Sequence, residues 1–173
     1  MDEKWDNFYR MAVVNFYLIT IGAPLMFLFV SWFLWVSGAW IDMYWMIPIL
    51  APVDVALGFI LMKPMMLDAK KRYSRNFGEI PIEYASSRIQ AALNTMGCEY
   101  ERSDDVVRRG LPRISYVVLY EVPKEGFEVG VRRIPAERKI EMVVRHKDDV
   151  DIEALDGVFS EIDRQILTGE SDG

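Results

Sequence analysis

Asp54 stands alone as an acid within an apolar segment that runs from Met43 to Met62. A carboxylate in such surroundings has lost its hydration and needs a cation, a proton or a hydrogen-bond donor to replace it. On the preceding apolar segment, Tyr17 and Thr20 lie at a similar depth and Asn15 lies nearer its start. Their hydroxyl and amide groups are the expected donors. Ala51, Val55 and Gly58 recur at helical spacing beside Asp54, a small-residue strip along which a second helix can approach. Pro48 and Pro52 lie one to two turns before it and free backbone carbonyl groups that also need partners. Three roles for Asp54 follow: an acid satisfied inside its own chain, a contact with a partner helix, or part of an ion or proton pathway. Two helices alone cannot line a pore, so the third role requires an oligomer or other subunits.

Asp42 and Asp54 do not form a catalytic acid pair. Twelve residues of helix separate them by about 18 Å along the axis, too far to share a water molecule. His146 with Asp148, Asp149, Asp151 and Glu153 is the nearest approach to a metal cluster, but it lacks the spaced oxygens and glycine of a calcium loop. Acids immediately before an apolar periodic segment read instead as helix caps. Cys98 is the only cysteine, which excludes an intramolecular disulfide and a cysteine-rich metal site. Phosphate-binding loops, zinc-protease helices, nucleophile elbows and dinucleotide glycine fingerprints are absent. No catalytic residue, cofactor or metal is therefore assigned. Arg132, Arg133, Arg138 and Lys139 flank one expected hairpin tip as a basic patch able to meet phosphates, lipid headgroups or an acidic partner.

The elements that must position Asp54 are long and apolar. Residues 11–41 contain no charged side chain, and apolar character resumes from Met43 to Met62. Crossing about 30 Å of hydrocarbon takes about 20 helical residues. Two crossings, 11–36 and 43–62, are expected, joined by the short connection Ser37 to Asp42 in which Ser-Gly marks the turn. Trp35, Trp40, Tyr44 and Trp45 gather near that connection, as aromatic rings do at headgroup level. The ten residues before the first crossing are mixed in charge and show no cleavage pattern, so the segment reads as retained rather than as a signal peptide. At nine residues before Lys63, Asp54 lies about 13 Å from the boundary. A carboxylate at that depth costs about 2.5 to 3.5 kcal/mol on insertion scales.

Charge is divided along the chain. Lys63, Lys70, Lys71, Arg72 and Arg75 face the single acid Asp68 between 63 and 75, whereas residues 76–173 carry 13 basic and 20 acidic side chains. A basic collar at anionic headgroups followed by an acidic domain is expected, with 63–80 as juxtamembrane segment and linker. The collar, with Lys4 and Arg10 at the other end and no basic residue in the connection, places both termini in the cytoplasm. The acidic balance argues against nucleic acid as a partner.

From Pro81 to Met96, apolar residues recur every three or four positions and Gly97 ends the pattern, which predicts a helix. The period then changes to two. Strands are expected over 98–102, 114–122, 127–134 and 140–144, then a helix through Ile152, Leu155, Val158, Phe159, Ile162 and Ile166. The fold class is thus a membrane-anchored α+β protein: an N-terminal two-helix transmembrane hairpin, then a two-layer domain (81–168) of a four-stranded antiparallel sheet with both helices on one face, then a disordered tail (169–173). The expected function is a membrane-tethered interaction or regulatory module, an accessory component of a membrane complex. Its expected partners are the lipid bilayer and either further copies or another membrane protein. Its alternatives are a subunit of an ion or proton pathway using Asp54, and a membrane-associated enzyme.

Overall fold

Alternating apolar residues build one antiparallel sheet of six strands in the computed structural model, which describes residues 5–38, 47–108, 114–134 and 138–169. The strands are β1 (Asp6–Asn7), β2 (Arg72–Asn76), β3 (Glu101–Arg108), β4 (Ile114–Val122), β5 (Phe127–Ile134) and β6 (Lys139–His146). Their order across the sheet is β1-β2-β6-β5-β4-β3. The expectation of four strands is therefore corrected to six. The two additional strands lie in segments whose polar sequence reads as flank and linker. Backbone pairing makes them strands: Arg72 to Asn76 runs along β6 from Arg145 to Glu141, and Asp6 and Asn7 pair with Ser74 and Tyr73. The strand expected at 98–102 begins three residues later and extends to Arg108.

Two helices, α5 (Ile82–Thr95) and α6 (Ile152–Gly169), cover one face of this sheet. Ala85, Ile89, Ala92 and Leu93 from α5 and Leu155, Val158, Ile162 and Ile166 from α6 meet Val118, Tyr120, Val129, Val131, Met142 and Val144 from the central strands. Most of these side chains are fully buried. Gly97 takes a positive φ of 72° directly after α5, where a side chain would be strained. Asp151 Oδ1 accepts from the backbone N–H of Glu153 at 3.1 Å and so caps α6, as the acids before it predict. Ile152, expected on the buried stripe, is 50% exposed.

Tyr120 points to the helices, and its hydroxyl lies 2.5 Å from Ser86 Oγ of α5. Tyr116 lies on the opposite face with its ring against Gly130, so close that a Cβ added to the glycine would overlap it. Val117 and Val118 both join the core side, so the strict alternation of β4 breaks at that point.

The apolar N-terminal third forms helices of the expected length. The chain runs through α1 (Tyr9–Tyr17), a π turn (Leu18–Gly22) and α2 (Ala23–Val36) as one 28-residue helix. It returns through α3 (Ile47–Leu57), a second π turn (Gly58–Met62) and α4 (Lys63–Ala69). Tyr9–Val36 and Leu50–Ala69 are each long and apolar enough to cross a membrane. The second helix continues through Pro64 to Ala69 rather than ending at Met62. The connection with Trp40, Asp42, Tyr44 and Trp45 lies outside the described residues, as does the tail beyond Gly169. Phe8–Lys70 is one compact unit; β1 and the chain from Lys71 onward belong to the other.

Candidate functional site

Within the helical unit, the two long helices approach closely at Gly58. A Cβ there would stand 2.6 Å from Thr20 Oγ1 and 3.4 Å from Thr20 Cα, so the contact tolerates only glycine while Thr20 keeps its position. Phe16 stacks edge-on against Phe59 at 5.4 Å one turn away. Each residue of this contact lies in or beside a π turn. Each π turn ends two residues before a proline, Gly22 before Pro24 and Met62 before Pro64. Proline has no N–H to return to the carbonyl four residues back, and the ladder resets by widening. The N–H of Ala23 accordingly donates to the carbonyl of Leu18, five residues back.

Thr20 is 5% exposed, and its hydroxyl has no hydrogen-bond partner. Asp54 Oδ2 is likewise enclosed and without a partner. Asp54 lies one helical turn before Gly58 on α3, and Ala51, a turn earlier still, is half-buried. Of the three donors expected from sequence, Thr20 alone is buried; Tyr17 is 55% exposed and Asn15 is exposed.

The basic collar divides between the two units. Lys63 and Lys70 belong to the helical unit, and both are exposed. Lys71 pairs with Asp148 at 3.0 Å, Arg72 is 5% exposed within β2, and Arg75 pairs with Asp163 of α6. Asp163 also accepts from Trp5 Nε1 at 3.1 Å. Trp5 in turn stacks on Phe159 at 4.8 Å and meets the edge of Phe77 at 6.1 Å. Burial pushes the Asp163 carboxyl above the ordinary carboxylate range, outweighing the Arg75 guanidinium and the hydrogen bonds that pull it down. Sequence reasoning missed this cluster because Trp5 and Asp163 stand at opposite ends of the chain. The available signal is Trp5 itself, a large aromatic residue set between the polar residues Asp2 to Lys4 and Asp6 to Asn7.

In the basic patch, Arg132 is turned to Glu141 across the β5–β6 pair. Arg133, Arg138 and Lys139 line a cleft of about 440 Å³ with Glu79, Ile80 and Pro81. All three basic residues are exposed there. Among the described residues, no three His, Cys, Asp or Glu side chains gather in a way that could hold a metal ion. His146 Nδ1 lies 2.6 Å from the Lys147 carbonyl, and its ring packs 6.1 Å from Tyr73. Burial raises the pKa of the Cys98 thiol, and Glu125 adds to the shift. Compared with known proteins, the chain matches no family model, no curated protein and no solved structure.

Proposed function

We propose that this chain is a membrane-tethered interaction module, an accessory component of a membrane complex, with both termini in the cytoplasm. The observation that supports this reading is that both flanks of the apolar hairpin are strands of the sheet. The leading flank, β1, and the trailing flank, β2, are neighbours, and Trp5 and Arg75 from the two flanks share Asp163 on α6. One residue separates Asn7 from Tyr9 of the first helix, and two separate Ala69 from Arg72. Flexible Gly- or Ser-rich linkers let a tethered domain move independently of its anchor. Each end of the hairpin is thus joined to a strand by only one or two residues, too few for a flexible leash.

Most of the hairpin's apolar surface is exposed within this chain, which leaves it for lipid and for other transmembrane segments. The test is the assembly state at native expression. Photo-crosslinkers at outward positions such as Phe29 and Ile60 should trap a defined adduct larger than the monomer, and that adduct should survive mild detergent. A chain that yields only monomer from every outward position is not an accessory subunit.

A further inference from the structure

We propose that the interior of the hairpin holds a small monovalent cation, sodium or a proton carried as hydronium, bound by oxygen atoms of Asp54 and Thr20. This goes beyond the interaction reading and stands whether or not a partner subunit exists. The observation behind it is a pair of enclosed oxygens with nothing to bind. Thr20 Oγ1 and Asp54 Oδ2 are both shut off from the surface, and neither has a hydrogen-bond partner. Buried polar atoms are satisfied in the great majority of folded structures, and in an apolar environment the requirement is stricter.

Enclosure decides what kind of ligand fits. A side chain from another helix cannot reach an atom that the hairpin itself covers, so a protein partner does not satisfy these two oxygens. The ligand must be small enough to enter between helices whose backbones approach at Gly58. Its charge follows from the donor set. The carboxylate and the hydroxyl oxygen both offer lone pairs, which is the oxygen chemistry of a hard cation. Helices broken or widened beside an acid, with backbone carbonyls turned to the gap, supply the same kind of ligands where membrane proteins bind sodium or protons.

Among the described residues, no other charge lies on the elements packed most extensively against α3. The elements packed on α3 are the first π turn, α2 and the second π turn, and none contains Asp, Glu, Lys, Arg or His. The nearest charged residues of the described helices, Lys63 and Asp68 on α4 and Arg10 on α1, lie nine or more residues from Asp54 or ten from Thr20. Tyr17, the one titratable group of α1 near this level, is turned outward.

The full chain in lipid nanodiscs tests the site through its thermal midpoint. Sodium chloride is titrated against choline chloride at constant ionic strength, and pH is varied in choline alone. In an Asp163→Asn background, which removes the acid response of that carboxyl, the chain is expected to gain several degrees either with sodium or with acidification, which separates the two cations. Asp54→Asn should lose that response. Should Asp54→Asn not fold, the pair Thr20→Ser and Thr20→Val replaces it: serine keeps the oxygen and should keep the response, while valine should weaken the apparent affinity at least tenfold. The proposal is overturned when the Asp163→Asn chain responds to neither cation, when adding Asp54→Asn leaves its response unchanged, or when Thr20→Val matches Thr20→Ser.

Discussion

Single atoms decide more here than composition suggests. Gly130 lies under the Tyr116 ring, and a methyl group there would overlap it. Gly130→Ala is expected to destabilise the domain by roughly 1–3 kcal/mol, the usual range for forcing volume into a packed site. Hydrogen exchange of the β4–β5 amides would register it, and the effect should shrink in a Tyr116→Ala background where the ring is gone. Tyr120→Phe strips a hydroxyl from a fully buried ring and leaves Ser86 facing the vacated position. Its expected cost is about 1–2 kcal/mol, read from the denaturant midpoint. Asp163 gives a pH signature of the opposite sense to most paired carboxylates. Its folded pKa lies above the unfolded one, so the folded chain holds that proton more tightly. The stabilisation is complete below the ordinary carboxylate range and is lost as pH rises through the higher folded value. Asp163→Asn keeps an acceptor for Trp5 and should flatten that limb of the stability–pH profile; a profile identical to wild type would contradict the assignment.

At the level of elements, much is legible in the sequence and the exceptions have physical causes. The period of three to four locates α5 and α6 within a residue or two, and the period of two locates β4, β5 and β6, because in each case one face is buried more than the other. β2 is hidden because Arg-Tyr-Ser-Arg-Asn carries the charges of a membrane collar, and only a distant partner, β6, makes it a strand. β1 is two residues long and has no pattern to read. Placing Tyr17 and Thr20 together beside Asp54 assumes an unbroken α-helix. The π turn at Leu18–Gly22 separates a buried Thr20 from an outward Tyr17, and its signal in the sequence is Pro24. Trp5 tests the role of the first strand. Trp5→Ala removes the stack on Phe159 and the bond to Asp163, with an expected loss of roughly 2–3 kcal/mol. Exchange should rise in β1, β2 and α6 and stay unchanged at the β3–β4 edge.

For the whole molecule, the decisive measurement is the side on which the helical connection lies. Ser37→Cys in a Cys98→Ser background should react with an impermeant thiol reagent applied from outside intact cells. Labelling only after lysis would reverse the proposed orientation. The background substitution removes the one native thiol, which burial already holds in the protonated form that is a poor nucleophile.

The pairing of Asp6 and Asn7 with Ser74 and Tyr73 has a consequence for biosynthesis. β1 precedes both long helices, yet its partner strand follows them, more than sixty residues later in the chain. On the proposed membrane reading, the two strands can meet only after an even number of crossings has returned the chain to its starting side. A chain that inserts one helix and stalls leaves β1 and Trp5 on the wrong side, and Phe159 and Asp163 of α6 without their cover. On that proposed reading, completion of the sheet edge reports correct insertion. Mis-inserted chains would reveal themselves to cellular proteases through an unfinished domain rather than through the hairpin itself.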